Sequence, residues 1–242
     1  MIGRSPVSRI YGAMTPKKSE GPCRPRGRPP AFDRATALSK AVKLFWDRGY
    51  EGTSFDDLIT AMGISASSFY NSFASKEALY VEAIEAYAEE QGAWFVEALS
   101  AKGTTREAFA AMFDAAAIAF TRDDAPSGCM IAVAATQCSP AQIRLRDLMI
   151  NQRHLAEKAI HARLEQGVQD GDLPQTLHIG AIAACFGALL GGMGIQARDG
   201  ASREKLQSVG RIALDILADS ENDRKYTQQF VNNKYCQVID TI

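Results

Sequence analysis

Residues 53–80 read TSFDDLITAMGISASSFYNSFASKEALY, and the punctuation of this stretch decides the fold. Ser54 is a helix N-cap with Asp57 three residues on, the pattern in which each side chain takes up the other's orphan amide. Phe55, Leu58, Ile59 and Met62 then recur at i, i+3, i+4 and i+7, one apolar stripe of an α-helix. Gly63 ends that helix, because the turn needs a residue that tolerates positive φ. Ser65 starts a second helix of about two turns, to about Phe73, and Ser75 starts another that continues to about Ser100. Two short helices joined by Met62-Gly63-Ile64-Ser65 make a helix-turn-helix in outline. In the second of them Phe69 and Phe73 anchor one face. Ser65, Ala66, Ser67, Ser68 and Asn71 make a small, polar face without acids, suited to a negatively charged groove.

Upstream, Asp33 caps a further helix whose Leu38, Ala41, Val42 and Phe45 repeat the same spacing and which stops at Gly49. Before it, residues 1–30 are rich in Pro, Gly, Ser and Arg and are expected to be disordered when free. The chain of 242 residues has a formal net charge of −1, an average that hides an asymmetry. Arg4, Arg9, Lys17, Lys18, Arg24, Arg26 and Arg28 precede the first apolar run, and only Glu20 opposes them. A basic arm on a neutral body marks a nucleic-acid or membrane partner. The arm lacks the apolar run of a secretory signal.

The stretch from Arg26 to Tyr80 closely resembles the DNA-binding head of TetR-family repressors. The match is carried by Leu44-Phe45, Gly49-Tyr50, Gly52-Thr53-Ser54, Gly63-Ile64-Ser65, Phe69-Tyr70, Phe73 and Ser75-Lys76-Glu77-Ala78-Leu79. Ile59 and Met62 stand where alanine is more usual, a change of packing only. Ser127-Gly128-Cys129-Met130 and GMGIQARDGAS at 192–202 look like one branch of the family. The resemblance implies an all-α protein: a three-helix head over 31–78, a larger helical ligand-binding and dimerisation body over 79–219, and a polar tail over 220–242. It implies that Ser65, Ala66, Ser67, Ser68 and Asn71 lie near base edges or phosphates, Asn71 being able to pair bidentately with adenine. Tyr70 and Lys76 are expected on phosphates, with Thr53 and Ser54 adding hydroxyl donors. Arg24, Arg26 and Arg28 are expected on the DNA backbone or in the minor groove.

Two tasks then fall to the body. A homodimer must set two heads on a palindromic double-stranded operator, and the helices around 177–197 and 202–218 are the expected dimer face. The second carries Leu206, Val209, Ile212, Ala213, Leu214, Ile216 and Leu217. The other task is to hold an unidentified small-molecule inducer. Helices near 105–121, 126–138 and 140–168 offer Phe109, Met112, Phe113, Phe120, Met130, Met149 and His154 for a pocket, with ordinary core as the competing reading for each. Cys129 follows Pro126-Ser127-Gly128 and so is expected near a helix N-terminus, a place that lowers a thiol pKa. It is a candidate redox or electrophile sensor, with inert packing as the alternative.

Residues 177–195, LHIGAIAACFGALLGGMGI, are long enough to span a bilayer. Their Ala and Gly content and His178 favour a buried helix whose small-residue face admits another helix closely, so no membrane partner is expected. Five widely spaced cysteines without a CxxC pair fit a reducing cytosol, and no metal or cofactor is expected. The chain carries no GxSxG, Walker A or HExxH motif, so no enzyme activity is expected. The reading is therefore a sequence-specific transcriptional regulator, a repressor released by a small-molecule or reactive inducer. Its rival is a helical interaction or membrane-associated protein with a vestigial head.

Overall fold

The computed structural model describes residues 33–133 and 142–217. The expected arm with Arg24, Arg26 and Arg28, the end of the helix expected over 126–138, and the 220–242 tail lie outside the described residues. Ten α-helices follow in order among the described residues: α1 Arg34–Arg48, α2 Phe55–Met62, α3 Ala66–Phe73, α4 Lys76–Gln91, α5 Ala93–Ser100, α6 Thr105–Phe120, α7 Met130–Val133, α8 Ile143–Asp170, α9 Ile179–Arg198 and α10 Arg203–Ala213. A 3₁₀ turn, Leu214–Leu217, continues α10. Among the described residues there is no strand.

Local sequence explains most of the starts. Asp33 accepts from the amides of Ala35 and Thr36 at the head of α1. Ser54 with Asp57 and Thr104 with Glu107 form complete capping boxes on α2 and α6. The long helix expected from Ser75 to Ser100 is broken at Gly92, which ends α4 and starts α5. Glycine is a weak helix former, and a periodic apolar pattern running through it does not reveal the break.

Two apolar cores result. The head core joins Phe45, Trp46, Leu58, Phe69 and Phe73 to Leu79, Tyr80, Ala83, Ile84 and Tyr87 of α4. It also takes in Met130, Leu145 and Met149 from the body. The body core gathers Phe109, Met112, Phe113 and Phe120 of α6 with Leu164 of α8 and Phe186 and Met193 of α9. Phe109 and Phe113 meet Phe186 edge-on, with ring centroids 5.0 and 5.2 Å apart. At the far end of the body Arg163, 7% exposed, donates to the Thr105 hydroxyl, which in turn bonds Asp172.

Head and body are fastened where α9 ends. Arg198 donates from Nη1 to the carbonyl of Trp46 at 2.8 Å and from Nη2 to that of Asp47, two of the carbonyls that the end of α1 leaves without a helical partner. One turn earlier, Gly194 touches the Gly128-Cys129 turn. A Cβ on Gly194 would lie 2.9 Å from that of Cys129, so a larger residue would push the turn off α9.

Candidate nucleic-acid interface

α2, the turn and α3 are held by side chains that the sequence supplies locally. The Ser54 Oγ accepts the Asp57 amide at 3.0 Å, and the Asp57 carboxylate accepts the Ser54 amide at 3.0 Å. The Ser54 hydroxyl, donating to the Asp57 carboxylate at 2.6 Å, and the Ser54 amide, with the nearby Arg48 guanidinium at 3.3 Å, hold the Asp57 carboxyl below the usual range. Gly63 adopts φ 72° and ψ 38°, the left-handed conformation that the turn demands. Ser65 then caps α3 by accepting the Ser68 amide at 3.2 Å. At the other end Ala74 takes φ 58° and ψ −52°, with the Ser75 amide donating to the Phe73 carbonyl at 2.6 Å. That is a γ-turn, a strained conformation for a residue with a Cβ. It turns the chain abruptly from α3 into α4.

α3 is anchored by Phe69 and Phe73, both buried. Ser65, Ala66, Ser67, Tyr70 and Asn71 are exposed, and Ser68 is half-buried. Tyr70 is 59% exposed and lies with one ring face on Phe55, centroids 5.3 Å apart and planes 20° from parallel. The ring is thereby fixed without being buried. The exposed face of α3 contains no acidic residue. Lys76, in the first turn of α4, lies over the Tyr50 ring at 4.2 Å. Burial pulls its ammonium below the ordinary value, against Glu51.

Thr53 corrects the sequence reading. It is fully buried, and its hydroxyl donates to the Gly49 carbonyl at 2.7 Å. It fastens the α1–α2 connection and offers nothing to a phosphate. Ser54 is exposed but already engaged in its capping box. Lys40 was not singled out from sequence. It is exposed on α1, with its Nζ 4.0 Å from where a Cβ on Gly63 would stand. A lysine on the polar side of an amphipathic helix carries no sign of which turn it will sit beside.

In the body a cavity of about 350 Å³ lies between α4, α5, α6, α7, α8 and α9. Trp94, Phe95, Phe120, Cys129, Gln152 and Gly191 are among its walls. Of the residues expected there, Phe120 is at the wall. Phe109, Met112 and Phe113 are packed in the body core, Met130 and Met149 belong to the head core, and His154 is exposed on α8. Apolar character could not separate wall from core. Gln152 did carry a signal: it is a polar residue at the seventh position after Leu145, on the buried stripe with Met149.

Cys129 also departs from expectation. Burial pushes its thiol above the ordinary range, outweighing the amides of Ala132 and Ile131 and the Tyr87 hydroxyl, which pull it down. The Tyr87 hydroxyl, itself buried, accepts the Met130 amide at 3.2 Å.

Residues 37–83 match the family model described as bacterial regulatory proteins, tetR family. The HTH-type transcriptional repressor ComR of Escherichia coli K12 is 34% identical over 196 residues, which cover 79% of this chain and 91% of that one. Among solved structures, a cysteine mutant of the TetR-family regulator CifR, complexed with 26-base-pair double-strand operator DNA, is 36% identical with a TM-score of 0.75. That match covers 78% of this chain and 98% of CifR. A TetR regulator from Rhodococcus sp. RHA1 is 34% identical, with a TM-score of 0.53 and coverage of 76% and 98%. With its helix-turn-helix head and larger helical body, the chain belongs to the TetR family of DNA-binding transcriptional regulators.

Proposed function

We propose that the protein is a homodimeric repressor that grips a palindromic double-stranded operator through α3 and releases it when a small molecule fills the body cavity. The observation that carries the DNA half is the exposed, acid-free face of α3, presented by a turn that fixes its angle to α2. Ser65, Ala66, Ser67, Ser68 and Asn71 would enter the major groove, while Tyr70, Lys76 and the basic arm would take phosphates. ComR is named a repressor, and CifR is bound to operator DNA in its structure.

A two-fold partner is supported by α9. Ala181, Ala184, Ala188 and Ile195 are exposed, and Gly191 is half-buried, three and four residues apart in alternation. A Cβ on Gly180, Gly191 or Gly192 would meet nothing within 4 Å, so these glycines do not serve close packing inside the subunit. Ile212, 71% exposed, and Ile216, 38% exposed, extend the apolar surface. A second copy laid along this seam would space two heads on neighbouring major grooves, about 34–36 Å apart. α9 is also the described helix long and apolar enough to cross a membrane. Its opposite face, Ile182, Phe186 and Met193, is buried against the body.

Release is supported by the course of α9, which walls the cavity at Gly187 and Gly191 and ends at Arg198 on the head. A ligand preferring a shifted α9 would favour a head spacing that DNA does not accept, limited by its differential affinity. Fluorescence anisotropy on DNA from upstream of the protein's own gene tests the reading. Asn71→Ala should weaken specific binding by about 1–3 kcal/mol and relax one base position. Lys76→Gln should lower the salt slope by about 0.9. No binding at low salt by a folded dimer would favour the interaction-protein reading. A single-subunit mass by light scattering would overturn the dimer.

A further inference from the structure

We propose that the body cavity takes an uncharged ligand with a small aromatic or apolar body and one carboxamide-like group, which both donates to and accepts from Gln152. This rests on the reading of the cavity as the inducer site and adds the chemistry of its occupant.

Gln152 lines the cavity and is 2% exposed. Neither its Nε2 nor its Oε1 has a hydrogen-bond partner. Buried polar side chains are nearly always paired, because burial removes water's hydrogen bonds and leaves nothing in exchange. On α8 the neighbouring inward positions are Leu145, Met149, Ala159 and Ile160, so packing alone calls for an apolar residue at 152. A carboxamide offers one acceptor and two donors on a flat edge. Its natural complement is another group with donor and acceptor side by side: an amide, a lactam or a urea.

Charge at the wall argues for a neutral ligand. Arg153 and Glu157 both line the cavity and oppose each other in sign. Arg153 already donates from Nη1 to the Ile131 carbonyl at 3.1 Å. An anion would gain from one and lose to the other. The remaining surface includes Trp94, Phe95 and Phe120, whose rings suit a flat apolar body. A volume of about 350 Å³ is near the small end for ligand pockets, enough for one ring and a short substituent.

Benzamide, its hydrocarbon isostere cumene and the anion benzoate separate these features. Saturation-transfer titration of the full chain should give benzamide an affinity at least about tenfold above both others. In Gln152→Leu that preference should vanish, with a melting temperature equal or higher because two unpaired polar atoms are gone. Ala156→Leu, at the cavity wall, should exclude benzamide and so locate the site. The proposal is overturned if cumene or benzoate binds the parent as well as benzamide, if the preference for benzamide survives Gln152→Leu, if benzamide binding survives Ala156→Leu, or if none of the three binds. Operator anisotropy is read separately. Gln152-dependent benzamide binding without DNA release would withdraw the inducer reading and leave the ligand chemistry standing.

Discussion

Replacing Arg198 with methionine isolates what its guanidinium does between body and head. The stem remains, including the Cβ that would stand 3.4 Å from a Cβ on Gly128. Lost are the bonds to the Trp46 and Asp47 carbonyls. The reach to the Ser127 carbonyl, 3.4 Å, is long, and the ion pair with the largely exposed Asp47 carboxylate at 4.0 Å contributes little. Two bonds from a charged donor are worth about 1.5–3 kcal/mol each. Because the side chain is 28% exposed, water recovers part of this, and a net loss of about 1–3 kcal/mol is expected. For a chain of this size that is a fall in melting temperature of roughly 2–12 °C. Arg198→Lys should recover about half, since a point-like ammonium serves one carbonyl at a time. Circular-dichroism melts give the magnitude, and amide exchange locates it, with faster exchange at the end of α1. A methionine variant that melts within about 1 °C of the parent, with α1 exchange unchanged, would refute the fastening role.

Thr53→Val should destabilise the head by about 1–3 kcal/mol, by leaving the Gly49 carbonyl without its donor. The salt slope of DNA binding should stay the same, and a slope lowered by about 0.9 would return Thr53 to the phosphates. Cys129, with its thiol pushed up by burial, should react with iodoacetamide at pH 7 more slowly than free cysteine. Its rate should climb as pH rises above the ordinary thiol range, whereas fast labelling at pH 7, mapped by mass spectrometry, would restore the reactive thiolate. Asp57 is lower in the folded head than in the unfolded chain, so its contribution is complete above about pH 4 and fades as pH falls toward its own value. The melting difference between the parent and Asp57→Ala should therefore shrink from pH 7 to pH 3, and a constant difference would contradict this.

The head was legible because its signals are local. A cap, a stripe of four apolar residues, Gly63 and a second cap lie within a dozen residues, and each acts on the turn beside it. The body was legible as helices but not as a site. Phe109 and Phe120 share a helix, an apolar character and the body core, and what brings Phe120 to a cavity wall as well is the packing of α5, α8 and α9 around it. Thr53 was misread for a similar reason: a hydroxyl before a helix looks available until the Gly49 carbonyl is found beneath it. For Cys129 the local argument, a helix start, was outweighed by burial. The bonds of Arg198 to carbonyls 152 and 151 positions earlier are visible only in the fold.

α9 gives one stretch of twenty residues three employers: the cavity, the proposed seam for a second copy, and the head. A substitution there cannot be judged by one of them alone. Ala184, Gly187, Ala188 and Gly191 all touch the cavity, and Ala184, Ala188 and Gly191 also line the proposed seam. A change that enlarged one of them to suit a new ligand would disturb how two copies meet. The freer route to a new specificity runs through the opposite walls, around Trp94 and Ala156, which pack against the body core but lie off the proposed seam. Descendants of this chain that respond to different molecules should therefore differ first on α5 and α8, with α9 the last wall to change.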